Sequence, residues 1–240
     1  MSMLTQAAQT LAPHPFSVAM LLADARLPGG GHAHSAGLEP ALLAGMSPAD
    51  VPVWLRGRAR TVSLVEAGTA VVTAHLLSLP PTGTGAQTHL AAIVDAWAAR
   101  TPSAALREAA QLLGRGYRRV ARSLWPHRPP VQALEGWTGP LPRAVVLGSI
   151  AAAASLRSED VVRLTVYDDA QTAAAALLKL EPLDPLAPAQ WVLDACAAAE
   201  PHVPRVAACL TPEDIPSSGA PQNEGWAEAH ALLTQRLFRA

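Results

Sequence analysis

The stretch SPADVPVWLRGRARTVSLVEAGTAVVTAHLLSLP, Ser47 to Pro80, decides the fold class. Ser47 is placed to cap a helix, Pro48 fits a first turn, and Asp50 follows three residues after the cap. Beyond that start signal Leu55, Val62, Val65, Thr69, Val72, Leu76 and Leu79 recur at steps of three, four or seven residues. That spacing is one face of an α-helix. The expectation is one long helix, stopped by Pro80-Pro81-Thr82-Gly83.

The same pattern extends in both directions. Ser17 to Ala25 reads as a first helix that ends before Leu27-Pro28-Gly29-Gly30-Gly31. Gln87 to Ala99 places Leu90, Ile93 and Trp97 on one side. Thr101-Pro102 starts a helix whose stripe is Leu106, Ala110, Leu113, Tyr117, Val120 and Leu124, closed by Trp125-Pro126. Ala144 to Leu156 is almost entirely small residues, so neighbours can approach it closely and it should be central. Ser158 opens a helix to about Leu180, and a further one follows Pro188 with Trp191 and Val192. The segment from Leu210 to Glu224 is rich in Pro, Ser and Gly, and a short amphipathic piece runs from Trp226 to Phe238. No period-two stretch is bounded by hairpin turns. The expected architecture is therefore all-α: a single compact helical domain over residues 1–240, with 210–240 as a flexible connection and C-terminal docking arm.

Composition agrees and excludes several classes. Half the residues are hydrophobic and only 15% are charged, which is a globular and not a disordered balance. Alanine dominates, and it loses no side-chain entropy in a helix. The net charge is −1, so no nucleic-acid partner is expected. The apolar run Phe16 to Ala23 has no Lys or Arg before it, which argues against a secretory signal. No run of about 18 apolar residues occurs, so no membrane span is expected. Cys196 and Cys209 read as small apolar residues in a reducing cytosol.

The densest motif is Leu27-Pro28-Gly29-Gly30-Gly31-His32-Ala33-His34-Ser35-Ala36-Gly37-Leu38-Glu39. Its glycines permit positive φ and close approach to another surface. His32 and His34 are the two candidate metal ligands, but a tight zinc or nickel site needs more than two. The bland reading is a structured turn with both histidines exposed. The segment is not a phosphate loop, since it lacks Gly-Lys-Ser/Thr and follows no strand. No Gly-x-Ser-x-Gly elbow is present. Asp168 and Asp169 are adjacent on a helix and point about 100° apart. Glu66 falls near the buried edge of its helix as a solvated or partner-paired acid, and Arg107 and Glu108 read as surface charges. The last residues, Gln235-Arg236-Leu237-Phe238-Arg239-Ala240, alternate cationic and apolar side chains, as a docking segment would.

Leu27-Pro28, Gly30-Gly31, Ser35 and Gly37-Leu38-Glu39 resemble the signature Leu-Pro-x-Gly-Gly-x-x-x-Ser-x-Gly-Leu-Glu of the urease accessory protein UreF family. His230 followed by Arg236-Leu237-Phe238-Arg239 resembles the family's His-bearing last helix and its Arg-Leu-Phe-Arg close. The resemblance implies an all-α, cytoplasmic homodimer without catalytic activity of its own. It implies three partners: a UreD/UreH-type accessory protein, a UreG-type GTPase and apo-urease. The family member bridges the first two and regulates GTP-dependent nickel insertion, with nickel and GTP handled by the partners and no intrinsic cofactor.

Carried onto this chain, the partner-binding residues are Gly30, Gly31, His32, Ser35, Gly37 and Glu39 in the turn, facing the GTPase. Arg236, Leu237, Phe238 and Arg239 in the tail face the UreD-type protein. There are departures. His32 stands where the family usually has an aromatic residue. Pro40 follows Leu38-Glu39 and should delay or kink the next helix. Asp168-Asp169 replace a Gly-Gln pair. Two rival readings use His32 and His34: a small metal-dependent enzyme, or a metallochaperone that itself carries nickel.

Overall fold

The computed structural model describes residues 13–80, 85–234 and 237–238. Among the described residues there are twelve α-helices and no strand. In order they are α1 (Pro15–Ala23), α2 (Leu38–Leu43), α3 (Val51–Ala59), α4 (Val62–Ser78), α5 (Gly85–Ala99), α6 (Ala104–Leu124), α7 (Pro129–Glu135), α8 (Arg143–Ala153), α9 (Ser158–Leu180), α10 (Leu186–Ala199), α11 (Val203–Ala207) and α12 (Pro221–Ala231). The all-α expectation holds.

The core is built around α4, which packs on α8 and α9. The small-residue helix α8 is central as expected, with every residue but Ala152 buried. A glycine makes the closest approach possible. A Cβ on Gly148 would lie 2.3 Å from the Ala70 carbonyl oxygen of α4, so only glycine fits. Two buried hydroxyls of α4 bond back to their own helix: Thr69 Oγ1 donates to Val65 O at 2.8 Å and Thr73 Oγ1 to Thr69 O at 2.7 Å. Leu90, Ile93 and Trp97 of α5 are fully buried, as their spacing predicts.

The long helix expected from Pro48 to Leu79 is two helices. Thr61, at φ −126° and ψ −97°, breaks the run, and its Oγ1 donates to Gly57 O at 2.9 Å. Thr69 and Thr73 make the same back-bond within unbroken α4, so the break lies in the non-helical backbone of Thr61 and not in its hydroxyl. The break lets α3 pack on α10 while α4 stays against α8 and α9. The helical run Pro48–Ser78 is long and apolar enough to cross a membrane, but most of its apolar stretch is buried inside the protein.

Pro40 neither delays nor kinks α2. The helix starts at Leu38, directly after Gly37 at φ +85°, so Pro40 falls in the first turn. There its missing N–H has no intrahelical partner to lose. Ser103, not Thr101, caps α6, accepting the Leu106 N–H at 3.2 Å. Ser158 is the first residue of α9, and its cap position is Arg157. In the stretch 210–224, Thr211 and Asp214 form a capping box, Ile215 is buried, and Pro216 rests where a Cβ on Gly68 would stand. The last helix begins at Pro221 and ends at Ala231.

Candidate functional site

The glycine-rich turn lies flat on α6. A Cβ on Gly116 would sit 2.1 Å from the Gly29 carbonyl oxygen, and one on Gly29 would sit 2.7 Å from the Tyr117 ring. Gly30 takes φ +91°, a backbone that L-residues rarely adopt, and leads into a 3₁₀ turn over Gly31–Ala33. His32 is exposed, and its carbonyl oxygen accepts the Lys179 ammonium at 3.2 Å. His34 is buried and lines a cavity, so only one of the two histidines faces outward. Among the described residues no group of three or more His, Cys, Asp or Glu side chains is placed to hold a metal ion.

Glu39 joins the two ends of the chain. Ser35 Oγ accepts the Glu39 N–H at 3.2 Å and so fixes the residue's backbone. Glu39 is 4% exposed. Its Oε1 accepts the Leu237 N–H at 2.7 Å, and its Oε2 accepts the Phe238 N–H at 2.9 Å and lies 3.1 Å from His230 Nε2. Hydrogen bonds to a buried carboxylate are among the strong ones. Phe238 is buried, with the Lys179 ammonium 5.2 Å from its ring centre, while Leu237 stays exposed. Lys179 thus touches both the turn, at His32 O, and the tail, at Phe238. Of the expected site residues, the structure brings His32, Ser35, Glu39, Leu237 and Phe238 into one patch. Gly30 and Gly37, together with Ala36, take the positive-φ positions of the turn, and Gly31 starts its 3₁₀ segment. Arg236 and Arg239 lie outside the described residues.

Behind the turn is a cavity of about 140 Å³, which Gly31, His34, Ala36 and Gly37 help to line. One wall is apolar, formed by residues such as Val62, Val65, Leu106 and Leu113. The other wall is charged. Arg58 of α3 donates twice to Asp169, at 2.7 and 3.1 Å, and Ser63 Oγ adds a bond at 2.7 Å. Arg143, at the start of α8, pairs with Asp168. Burial works to raise the Asp169 carboxyl, but Arg58 and Ser63 outweigh it and hold the group below the usual carboxylate range. Burial also opposes the charge on Arg143, and Asp168 with its acidic neighbours overcomes that. Burial pushes Tyr117 up to about 12.

Glu66 is paired, though not to a cation. Its Oε1 accepts the Trp97 indole N–H at 2.6 Å, and burial pushes its carboxyl up. Asp168 and Asp169 do not face each other. Each takes an arginine from a different helix, and the two pairs meet on one cavity wall. Reading the sequence alone passed over Arg58 and Arg143. The available signal was a lone cation at the head of the almost uncharged run Ala144 to Ala154.

The UreF family model matches residues 46–197, more than half of the chain. That match covers the helical middle and leaves both end motifs outside it. The urease accessory protein UreF of Mycobacterium marinum is 37% identical over 176 residues, covering 70% of this chain and 76% of the relative. The protein of the same name from Mycobacterium tuberculosis is 36% identical over 174 residues, covering 70% and 74%. That of Mycolicibacterium vanbaalenii is 37% identical over 171 residues, covering 69% and 74%. Two independent signs therefore agree, the clamped pair of end motifs and the similarity of the helices between them, and the chain belongs to the UreF family of urease accessory proteins.

Proposed function

We propose that this chain is a non-catalytic adaptor of urease maturation. It binds a UreD/UreH-type protein and a UreG-type GTPase, bridges them, and regulates GTP-dependent nickel insertion into apo-urease. Nickel and GTP are handled by the partners, with no cofactor intrinsic to this chain, and the setting is the cytoplasm. The observation that carries the reading is the Glu39 clamp. It merges the glycine-rich turn and the C-terminal segment into one surface that presents His32 and Leu237 to solvent. A surface made jointly by two ends of the chain suits a protein that must sense one partner while holding another.

The same reading has the chain working as a homodimer. Phe16 and Met20 of α1 are 67% and 61% exposed, and with Tyr167 of α9 they line an open apolar hollow suited to a second copy. Metal carriage or catalysis by His32 and His34 is not favoured, because one ring faces solvent and the other is buried.

The test is co-expression of this chain with a UreD-type and a UreG-type protein, followed by affinity capture and mass measurement of the eluate. A complex containing all three is expected. If this chain elutes by itself while both partners are soluble, the adaptor reading is wrong.

A further inference from the structure

The outer face of α6 carries an uncompensated positive charge. Four arginines, Arg115, Arg118, Arg119 and Arg122, fall within eight residues, and the helix holds a single acid, Glu108, near its other end. One carboxylate, Glu135 of α7, is shared between Arg118 at 3.5 Å and Arg122 at 3.2 Å. Arg115 and Arg119 are exposed, and among the described residues neither has an acidic partner. Positions 115, 119 and 122 follow the i, i+4, i+7 spacing of one helix face. The chain as a whole carries −1, so this is a local asymmetry and not a bulk property.

The face adjoins the glycine-rich turn. Arg119 Nη2 reaches the Pro28 carbonyl at 3.5 Å, and the backbone of Gly116 lies against Gly29. Like charges at this spacing repel one another in the free chain and are relieved when carboxylates approach. The stripe spans roughly 10 Å of helix, from about 1.5 Å per residue, which matches a patch on a protein more closely than the broad field a nucleic acid needs.

We infer that the Arg115–Arg119–Arg122 face of α6 is an electrostatic docking surface for a carboxylate-bearing face of the GTPase-type partner. The inference rests on the adaptor reading and deepens it. The turn supplies the shaped contact, and α6 supplies the charge that steers the encounter and sets its orientation.

The test is surface plasmon resonance of the full chain against an immobilised UreG-type GTPase and, separately, a UreD-type protein. Wild type is compared with Arg115→Glu/Arg119→Glu and with Arg115→Lys/Arg119→Lys, with melting curves to confirm folding. At about 0.1 M salt, charge reversal is expected to slow association with the GTPase roughly tenfold, with little change in dissociation. The lysine variant keeps the wild-type rate, the defect shrinks at high salt, and binding to the UreD-type protein is unaffected. If association with the GTPase is the same in all three forms, the α6 inference is overturned while the adaptor reading stands. If wild type binds neither accessory protein, both fall. If charge reversal instead abolishes binding to duplex DNA or anionic vesicles and spares the GTPase, the face serves a polyanion and the inference is overturned.

Discussion

Glu39 holds Phe238 by the backbone: its Oε2 accepts the Phe238 N–H at 2.9 Å, beside the Leu237 N–H on Oε1 at 2.7 Å. The bond is to main chain, so it fixes the path of the tail whatever side chains the tail carries. Replacing Glu39 with Ala removes the shared acceptor and leaves His230 without its partner. Amide hydrogen exchange at Leu237 and Phe238 should then rise to near unprotected rates. Capture of the UreD-type partner should fall as far as it does in a chain ended after Leu233. Combining the two changes should weaken capture no further than either alone, because both remove the same docked segment.

Gly116→Ala tests the seat of the turn. The new Cβ would sit 2.1 Å from the Gly29 carbonyl oxygen, against backbone that cannot swing aside. A loss of about 1–3 kcal/mol is expected from overpacking, read as a lower denaturation midpoint. Gly225→Ala in α12 is the contrast, since nothing lies within 4 Å of its Cβ position. That change should stabilise by up to about 1 kcal/mol through helix propensity.

The Arg58–Asp169 pair should behave as a buried ion pair, with side-chain exposures of 10% and 13%. Arg58→Ala leaves Asp169 charged and unpaired, and about 3–5 kcal/mol of stability should be lost in chemical denaturation. The double change Arg58→Leu/Asp169→Leu should lose much less, because no isolated charge remains. Asp169 is held below the ordinary carboxylate range, so its contribution is full above that range and fades as pH falls through the folded-state value. Asp169→Asn should flatten the acid limb of the stability profile, and an unchanged limb would show that other carboxylates govern it.

Glu66 has the opposite sign. Burial raises its carboxyl, so the folded chain keeps the proton longer than the unfolded one. That contribution is fully present below the ordinary carboxylate range and is lost as pH rises through the folded-state value. Glu66→Gln keeps an acceptor for Trp97 and cannot ionise. The variant and wild type should melt together near about pH 4, and the variant should melt higher near about pH 8. Parallel profiles across that range would mean that ionisation of Glu66 is not linked to folding.

Much of the fold is legible in the sequence. The buried face of α5 at Leu90, Ile93 and Trp97, the central place of α8 and the stop at Pro80 follow from rules that act within a turn or two of helix. The two end motifs were visible for the same reason, as short strings of particular residues. Other features were not local. The break at Thr61 depends on α3 and α4 finding different partners, α10 for one and α8 with α9 for the other. Pro40 was harmless because Gly37 starts the helix three residues earlier at positive φ.

Composition, capping and 3.6-residue periodicity by themselves determined that this chain is helical and which face α5 buries, because those signals are complete within a dozen residues. Leu79 and Leu124, placed on buried stripes by the same spacing, are exposed at the ends of α4 and α6. Tertiary structure alone decided that Arg58 meets Asp169 across 111 residues, that Arg143 meets Asp168, and that Glu39 meets Phe238 across 199. A buried charge requires a partner, but the requirement does not say which one. Only the packing of α3, α8 and α9 around one cavity, and of the C-terminal segment against α2, supplies the answer.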